Sequence, residues 1–156
     1  KSWKWQFISM CTQKEKRRST MGLTSENYVD EAERVIKTLF ERDRDGKVRI
    51  NYKGFPIINL TTSKIRGILS LVTELYNDII HEPADELGEE YIERIQYLRL
   101  RITYEAGRDD EVRKFVKNSR LIVYVKAIKN KNDFLRFTKY VEALVAYHKY
   151  YGGRDA

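Results

Sequence analysis

The run Thr61-Thr62-Ser63-Lys64-Ile65-Arg66-Gly67-Ile68-Leu69-Ser70-Leu71-Val72-Thr73-Glu74-Leu75-Tyr76-Asn77-Asp78-Ile79 has the period of an α-helix. Ile65, Ile68, Leu69, Val72, Leu75, Tyr76 and Ile79 recur at three- and four-residue steps, which gathers them into one apolar stripe. Thr61 or Thr62 supplies a capping hydroxyl, and Pro83 closes the segment.

The same period recurs on either side of this run. Downstream, Leu87, Tyr91, Ile95, Leu98 and Ile102 define a third helix from about Asp85 to Ala106, with Gly107 as its left-handed stop. Asp109 or Asp110 caps a fourth helix that presents Val112, Phe115 and Val116 and breaks near Asn118-Ser119. The β-branched run Leu121-Ile122-Val123-Tyr124-Val125 admits a strand, but nothing nearby offers a partner, so it reads as helix. Asn132 or Asp133 caps a last helix carrying Phe134, Phe137, Tyr140, Val141, Leu144, Val145 and His148, which Gly152-Gly153 ends.

Upstream, a first helix is expected from about Ser25 to Arg42, with Val29, Ala32, Ile36, Leu39 and Phe40 on one face. The charged run from Arg42 to Lys47 breaks that pattern. Residues 43–59 read as a long mobile connection, with Val48, Ile50 and Tyr52 as a short extended alternation. The expectation is an all-α, single-domain bundle of five or six helices over residues 24–156. Residues 1–23 read as an N-terminal extension, disordered or of non-native origin, because Met21-Gly22-Leu23-Thr24 resembles a natural start.

At 156 residues the chain is one domain's worth, and no apolar run approaches the roughly 20 residues of a membrane span. A single cysteine, Cys11, rules out an intrachain disulfide and fits a reducing cytoplasm. The net charge of +7 sits largely at the N-terminus, since residues 1–21 hold six bases against one acid. Residues 22–156 hold 24 bases and 22 acids. Within them charge is segregated. Residues 74–93 carry eight acids and no Lys or Arg, whereas residues 108–139 carry ten bases against four acids. Such segregation suits a protein with one face toward nucleic acid and another toward a basic neighbour; solvated helix faces are the plainer alternative.

Catalytic signatures do not assemble. His148 falls one helical step beyond Leu144 and Val145, as a packed or half-buried histidine does. His81 with Glu82 and Asp85 matches no strong metal spacing. Cys11 has no base nearby. Asp109-Asp110-Glu111 invites a two-metal reading, yet acids in a first helical turn are expected from capping and the helix dipole. No phosphate-cradling glycine loop is present. The expectation is therefore a protein without catalytic residues, metal or cofactor.

The bases carry more information. Lys64 and Arg66 fall in a first helical turn, beside backbone N–H groups that favour phosphate. Arg99 and Arg101 flank an apolar face, Arg108 follows Gly107, and Arg136 and Lys139 lie three apart on the last helix. Bases so placed, with few aromatics among them, suit RNA phosphate and sugar rather than base edges. Some of the 11 tyrosines could stack on bases, while Tyr76, Tyr91 and Tyr140 lie in apolar stripes and read as core.

Three segments in order carry a family likeness: Leu60-Thr61-Thr62-Ser63-Lys64-Ile65-Arg66, then Tyr104-Glu105-Ala106-Gly107-Arg108, then Glu142-Ala143-Leu144-Val145-Ala146-Tyr147 with Lys149-Tyr150-Tyr151. From Leu60 to Gly153, and more loosely from Thr24, the chain resembles the small subunit of the type III-A CRISPR-Cas effector, the Csm complex. The resemblance implies a non-catalytic helical subunit of a ribonucleoprotein for antiviral defence. Copies would stack head to tail as an inner filament beside RAMP-type backbone subunits. They would contact the guide RNA–target RNA duplex and, at one end, the large signalling subunit. A helical protein–protein adaptor without RNA binding is the alternative. A small enzyme of unrecognised type is a third reading with little in the sequence behind it.

Overall fold

The computed structural model describes residues 22–155, and the expectations for residues 1–21, Cys11 included, lie outside them. Six helices follow one another: α1 Tyr28–Thr38, α2 Thr62–Ile79, α3 Glu89–Arg108, α4 Asp110–Ser119, α5 Leu121–Lys126 and α6 Lys131–Tyr150. The class is all-α, and Leu121–Lys126 is helical. Among the described residues the only extended pairings are isolated bridges.

α6 is the central element and packs chiefly against α1 and α2, while α3 joins α2 to α4 and α5. The apolar stripes explain this order. Ile65, Ile68, Val72, Leu75 and Ile79 of α2 and Phe134, Phe137, Val141 and Leu144 of α6 are all buried, and Ala32, Val35 and Ile36 of α1 join them. Val29, expected on the same face of α1, is 39% exposed.

Tyr140 is fully buried; its hydroxyl donates to Ser119 O at 2.8 Å and its ring meets Tyr124 edge-on. Burial pushes its phenol far above the usual tyrosine range, so the group stays a neutral donor. That bond satisfies the end of α4, where Arg120 turns the chain at φ 57°.

Four element boundaries differ from the sequence reading. α1 stops at Thr38, not Arg42, because the next residues pair across the chain instead. Phe40 bridges Ile58 and Glu41 N–H donates to Ile57 O at 2.8 Å. α3 starts at Glu89, not Asp85, since Asp85 serves the start of α6: its carboxylate accepts from Asn132 N–H and its carbonyl from Lys131 N–H. Leu87 is buried in the turn rather than on the helix. Asn130, not Asn132 or Asp133, caps α6, with its Oδ1 accepting from Asp133 N–H.

Gly107 is helical rather than a left-handed stop. The Arg113 guanidinium donates to Ala106 O and Gly107 O, which satisfies the last carbonyls of α3 without a glycine turn. Asp109 is extended and begins α4, its Oδ1 accepting from Glu111 and Val112 N–H.

The connection expected at 43–59 is folded back on itself. Segments 40–42, 48–50 and 56–58 form a three-pass meander through the bridges Phe40–Ile58, Arg42–Val48 and Ile50–Pro56. Its two reversals share one design. Asp43 Oδ1 accepts from Asp45 and Lys47 N–H, Asn51 Oδ1 from Lys53 and Phe55 N–H. Gly46 and Gly54, three residues after each, take φ +80° and +84°. The signal for this was present as Asp43-x-x-Gly46 and Asn51-x-x-Gly54.

The chain end closes the bundle. Arg154 O accepts from Thr62 N–H at 2.8 Å and Asp155 O from the Ser63 hydroxyl at 3.0 Å, so the tail lies across the start of α2. Beneath it His148 is fully buried and donates from Nε2 to Leu60 O at 2.7 Å. Nδ1 has no partner among the described residues. Burial, the largest effect, holds the imidazole below its ordinary value of 6.5. The group is therefore neutral when folded. It favours the fold fully above about pH 6.5, and that contribution is lost as pH falls below it, because only the unfolded chain protonates readily. Melting temperature is expected to fall between pH 6.5 and about 5, and to fall less in His148→Gln.

Candidate nucleic-acid interface

α2 and α3 run antiparallel and leave a groove between them. Its upper part, about 350 Å³, lies where α2 begins, α3 ends and α4 begins. Lys64, Gly67, Arg101, Glu105, Arg108 and Asp109 are among its walls. A second part of about 240 Å³ shares Leu71 and Arg101 with the first and continues past Glu74, Arg94 and Tyr97. Gly67 is a helical glycine beside open space, which keeps one wall low.

The charges in the groove are arranged by these helices. Arg94, Arg101 and Arg108 are seven residues apart, two helical turns, so they share one face of α3 at steps of roughly 10.5 Å. Arg94 pairs with Asp78 at 2.6 Å, and Arg108 approaches Glu105 at 3.6 Å while lying over the Tyr104 ring. Arg101 has no acidic partner among the described residues, although it is half-buried in both parts of the groove. Lys64 pairs with Asp109 at 2.5 Å. That ammonium, with the Val112 N–H, holds the Asp109 carboxyl below its usual range. The groove is thus lined by bases paired with carboxylates and by one arginine without an acidic partner among the described residues.

Of the seven expected RNA-binding residues, Lys64, Arg101 and Arg108 converge here. Arg66, two residues beyond Lys64, points about 200° around α2 and leaves the groove. Arg99 turns away from Arg101 in the same manner and bonds Gln96. Arg136 and Lys139 lie on α6, 14 and 11 residues before Tyr150, toward the opposite end of the bundle. Arg136 approaches Asp133 at 3.6 Å, and its Nε is buried without a partner among the described residues.

Arg94 escaped the sequence reading, which weighed bases at helix ends and on exposed helix faces singly; the seven-residue spacing 94–101–108 was the available signal. The bases Arg42, Arg44, Lys47, Arg49 and Lys53 were also passed over, because their meander read as mobile chain.

Asp109 is the hinge of this arrangement, capping α4 with one oxygen and holding Lys64 with the other. Asp109→Ala is expected to cost about 1–2 kcal/mol in chemical denaturation, the usual size of a lost N-cap. Asp109→Asn keeps the cap and should restore most of the loss.

Among the described residues no three His, Cys, Asp or Glu converge as a metal site, and no helix is long and apolar enough to cross a membrane.

Comparison with known proteins decides the family. The family described as Csm2 Type III-A matches residues 51–154. The chain belongs to that family. A relative from Streptococcus thermophilus, the CRISPR system Cms protein Csm2, is 43% identical over 133 residues, covering 85% of this chain and 98% of its own. A Mycobacterium tuberculosis protein of the same name is 35% identical over 136 residues, covering 86% and 99%. A third, from Enterococcus italicus, is 37% identical over 95 residues, covering 59% and 68%. This member of the Csm2 family is thus a structural subunit of a type III-A CRISPR-Cas complex. The match spans the groove helices, the central α6 and the closing tail.

Proposed function

We propose that this subunit is a non-catalytic, cytoplasmic RNA-binding scaffold whose α2–α3 groove holds the backbone of a guide RNA–target RNA duplex. The observation that carries this reading is the row Arg94, Arg101 and Arg108, with Arg101 unpaired. Arginines at one helical face meet phosphate and sugar without reading sequence, which base pairing with the guide already supplies.

Charge also supports head-to-tail stacking of copies into a filament. The turn between α2 and α3 with Glu82, Asp85 and Glu86, continued by Glu89 and Glu90 in the first turn of α3, lies at the α6 N-terminal end, where Lys131 N–H bonds Asp85 O. The basic meander lies at the other end, where Phe55 abuts Gly152. A molecule with opposite charge at its two ends favours an open, heterologous stack over a closed pair. RAMP-type backbone subunits and the large signalling subunit are the remaining partners in this reading.

The test is a pull-down of the tagged chain co-expressed with a Csm operon and guide array. Co-purification of RAMP-type subunits with guide RNA is the expected outcome. Recovery of those subunits with the groove dispensable for RNA retention would leave a protein–protein adaptor instead.

A further inference from the structure

An open pocket lies away from the groove, at the C-terminal end of α6 against α1. It measures about 590 Å³ and is lined by Glu33, Ala146, Tyr147, Tyr150 and Tyr151. The rings of Tyr147 and Tyr151 are within 23° of parallel, 6.3 Å between centroids. Tyr150 stands nearly perpendicular to both, at 86° and 77°, and is 72% exposed. Three tyrosine rings thus gather at one spot, with a face of Tyr150 open to solvent, beside the last turn of a 20-residue helix whose carbonyl end is negative.

The polar groups there are mainly acceptors. Glu33 Oε1 accepts from the Tyr151 hydroxyl and from Lys37, while Oε2 has no partner among the described residues. The Tyr151 hydroxyl bond and Lys37 hold the Glu33 carboxyl below its usual range, so it stays charged. Lys37 itself sits 5.9 Å from the Tyr151 ring centroid. An internal cation already occupies the rim, on a side chain 53% exposed.

The geometry points to a receptor for an arginine side chain of a protein partner. A guanidinium stacks on the open face of Tyr150 and donates to Glu33 Oε2, a flat cation meeting aromatic rings and a carboxylate at once. A phosphate-bearing guest would face the Glu33 carboxylate, which disfavours a nucleotide. The assignment does not depend on RNA binding in the α2–α3 groove.

The test is a ¹⁵N–¹H spectral titration of the full chain with Nα-acetyl-arginine amide. Nα-acetyl-citrulline amide and uridine 5′-monophosphate serve as comparisons. Saturable shifts are expected at Glu33, Ala146, Tyr147, Tyr150 and Tyr151 with the arginine probe, and weaker binding by its neutral isostere. Tyr150→Ala should weaken the arginine probe roughly fivefold while leaving the rest of the spectrum in place. Glu33→Gln should remove the preference for arginine over citrulline. Equal binding of citrulline, tighter binding of the nucleotide at these residues, or no saturable shift would each overturn the assignment.

Discussion

Gly153→Ala lowers the melting temperature by roughly 5–10 °C in a thermal denaturation followed by circular dichroism. A Cβ at this position falls inside the His148 ring, against Cε1 and Nδ1. His148 is fully buried and has no room to retreat. Either the imidazole swings away and abandons Leu60 O in the interior, or the tail lifts from α2. The second route also exposes Thr62 N–H, which Arg154 O now satisfies. Overpacking or a stranded buried polar group costs on the order of 1–3 kcal/mol on either route. Gly107→Ala is the matched control. The added methyl meets nothing within 4 Å, and a helical glycine is worth about 0.5–1 kcal/mol less than alanine, so that variant should melt slightly higher. Equal melting of the two variants would mean that the tail does not rest on His148.

The second large effect is on RNA. Arg101→Glu with Arg108→Glu should weaken binding to a duplex RNA by roughly tenfold or more and flatten its salt dependence. The fold should hold, for a structural reason. Arg101 has no acidic partner among the described residues, and Arg108 makes only a 3.6 Å surface pair with Glu105 while 61% exposed. Exposed pairs of that kind contribute little. Lys64 and Arg66, which the sequence places together in the first turn of α2, are poorer choices for reversal. Reversing Lys64 sets a carboxylate against Asp109 and disturbs the cap of α4, while Arg66 points off the groove. A double reversal that leaves both affinity and salt slope unchanged would remove the groove from the RNA interface.

How much was legible follows from the range of the forces involved. The helical stripes of α2, α3 and α6 were readable because burial imposes a local period, and Val72, Ile102 and Leu144 are buried as that period requires. Thr61 and Asp109 were readable as caps because a side chain that meets an N–H two or three residues ahead is a local event. The ends of α1 and α3 were not. Phe40 and Glu41 leave the helix to pair with Ile58 and Ile57, and Gly107 remains helical because Arg113, six residues on, satisfies its carbonyl.

The candidate site divides in the same way. Helix class, family likeness and the identity of the bases are all local properties of the chain and could be read without the fold. The sequence also placed Arg101 and Arg108 on a common face, through a spacing of seven that equals two turns. The same spacing puts Arg94 in the row, but it took the packing of the helices to bring Lys64 to it and to keep Arg66, Arg99, Arg136 and Lys139 away. The same is true of the tyrosines beside Glu33, a residue more than 110 positions earlier in the chain. Local spacing fixes direction around one helix axis, whereas convergence depends on how two helices cross, and that is set by the packing of their buried faces.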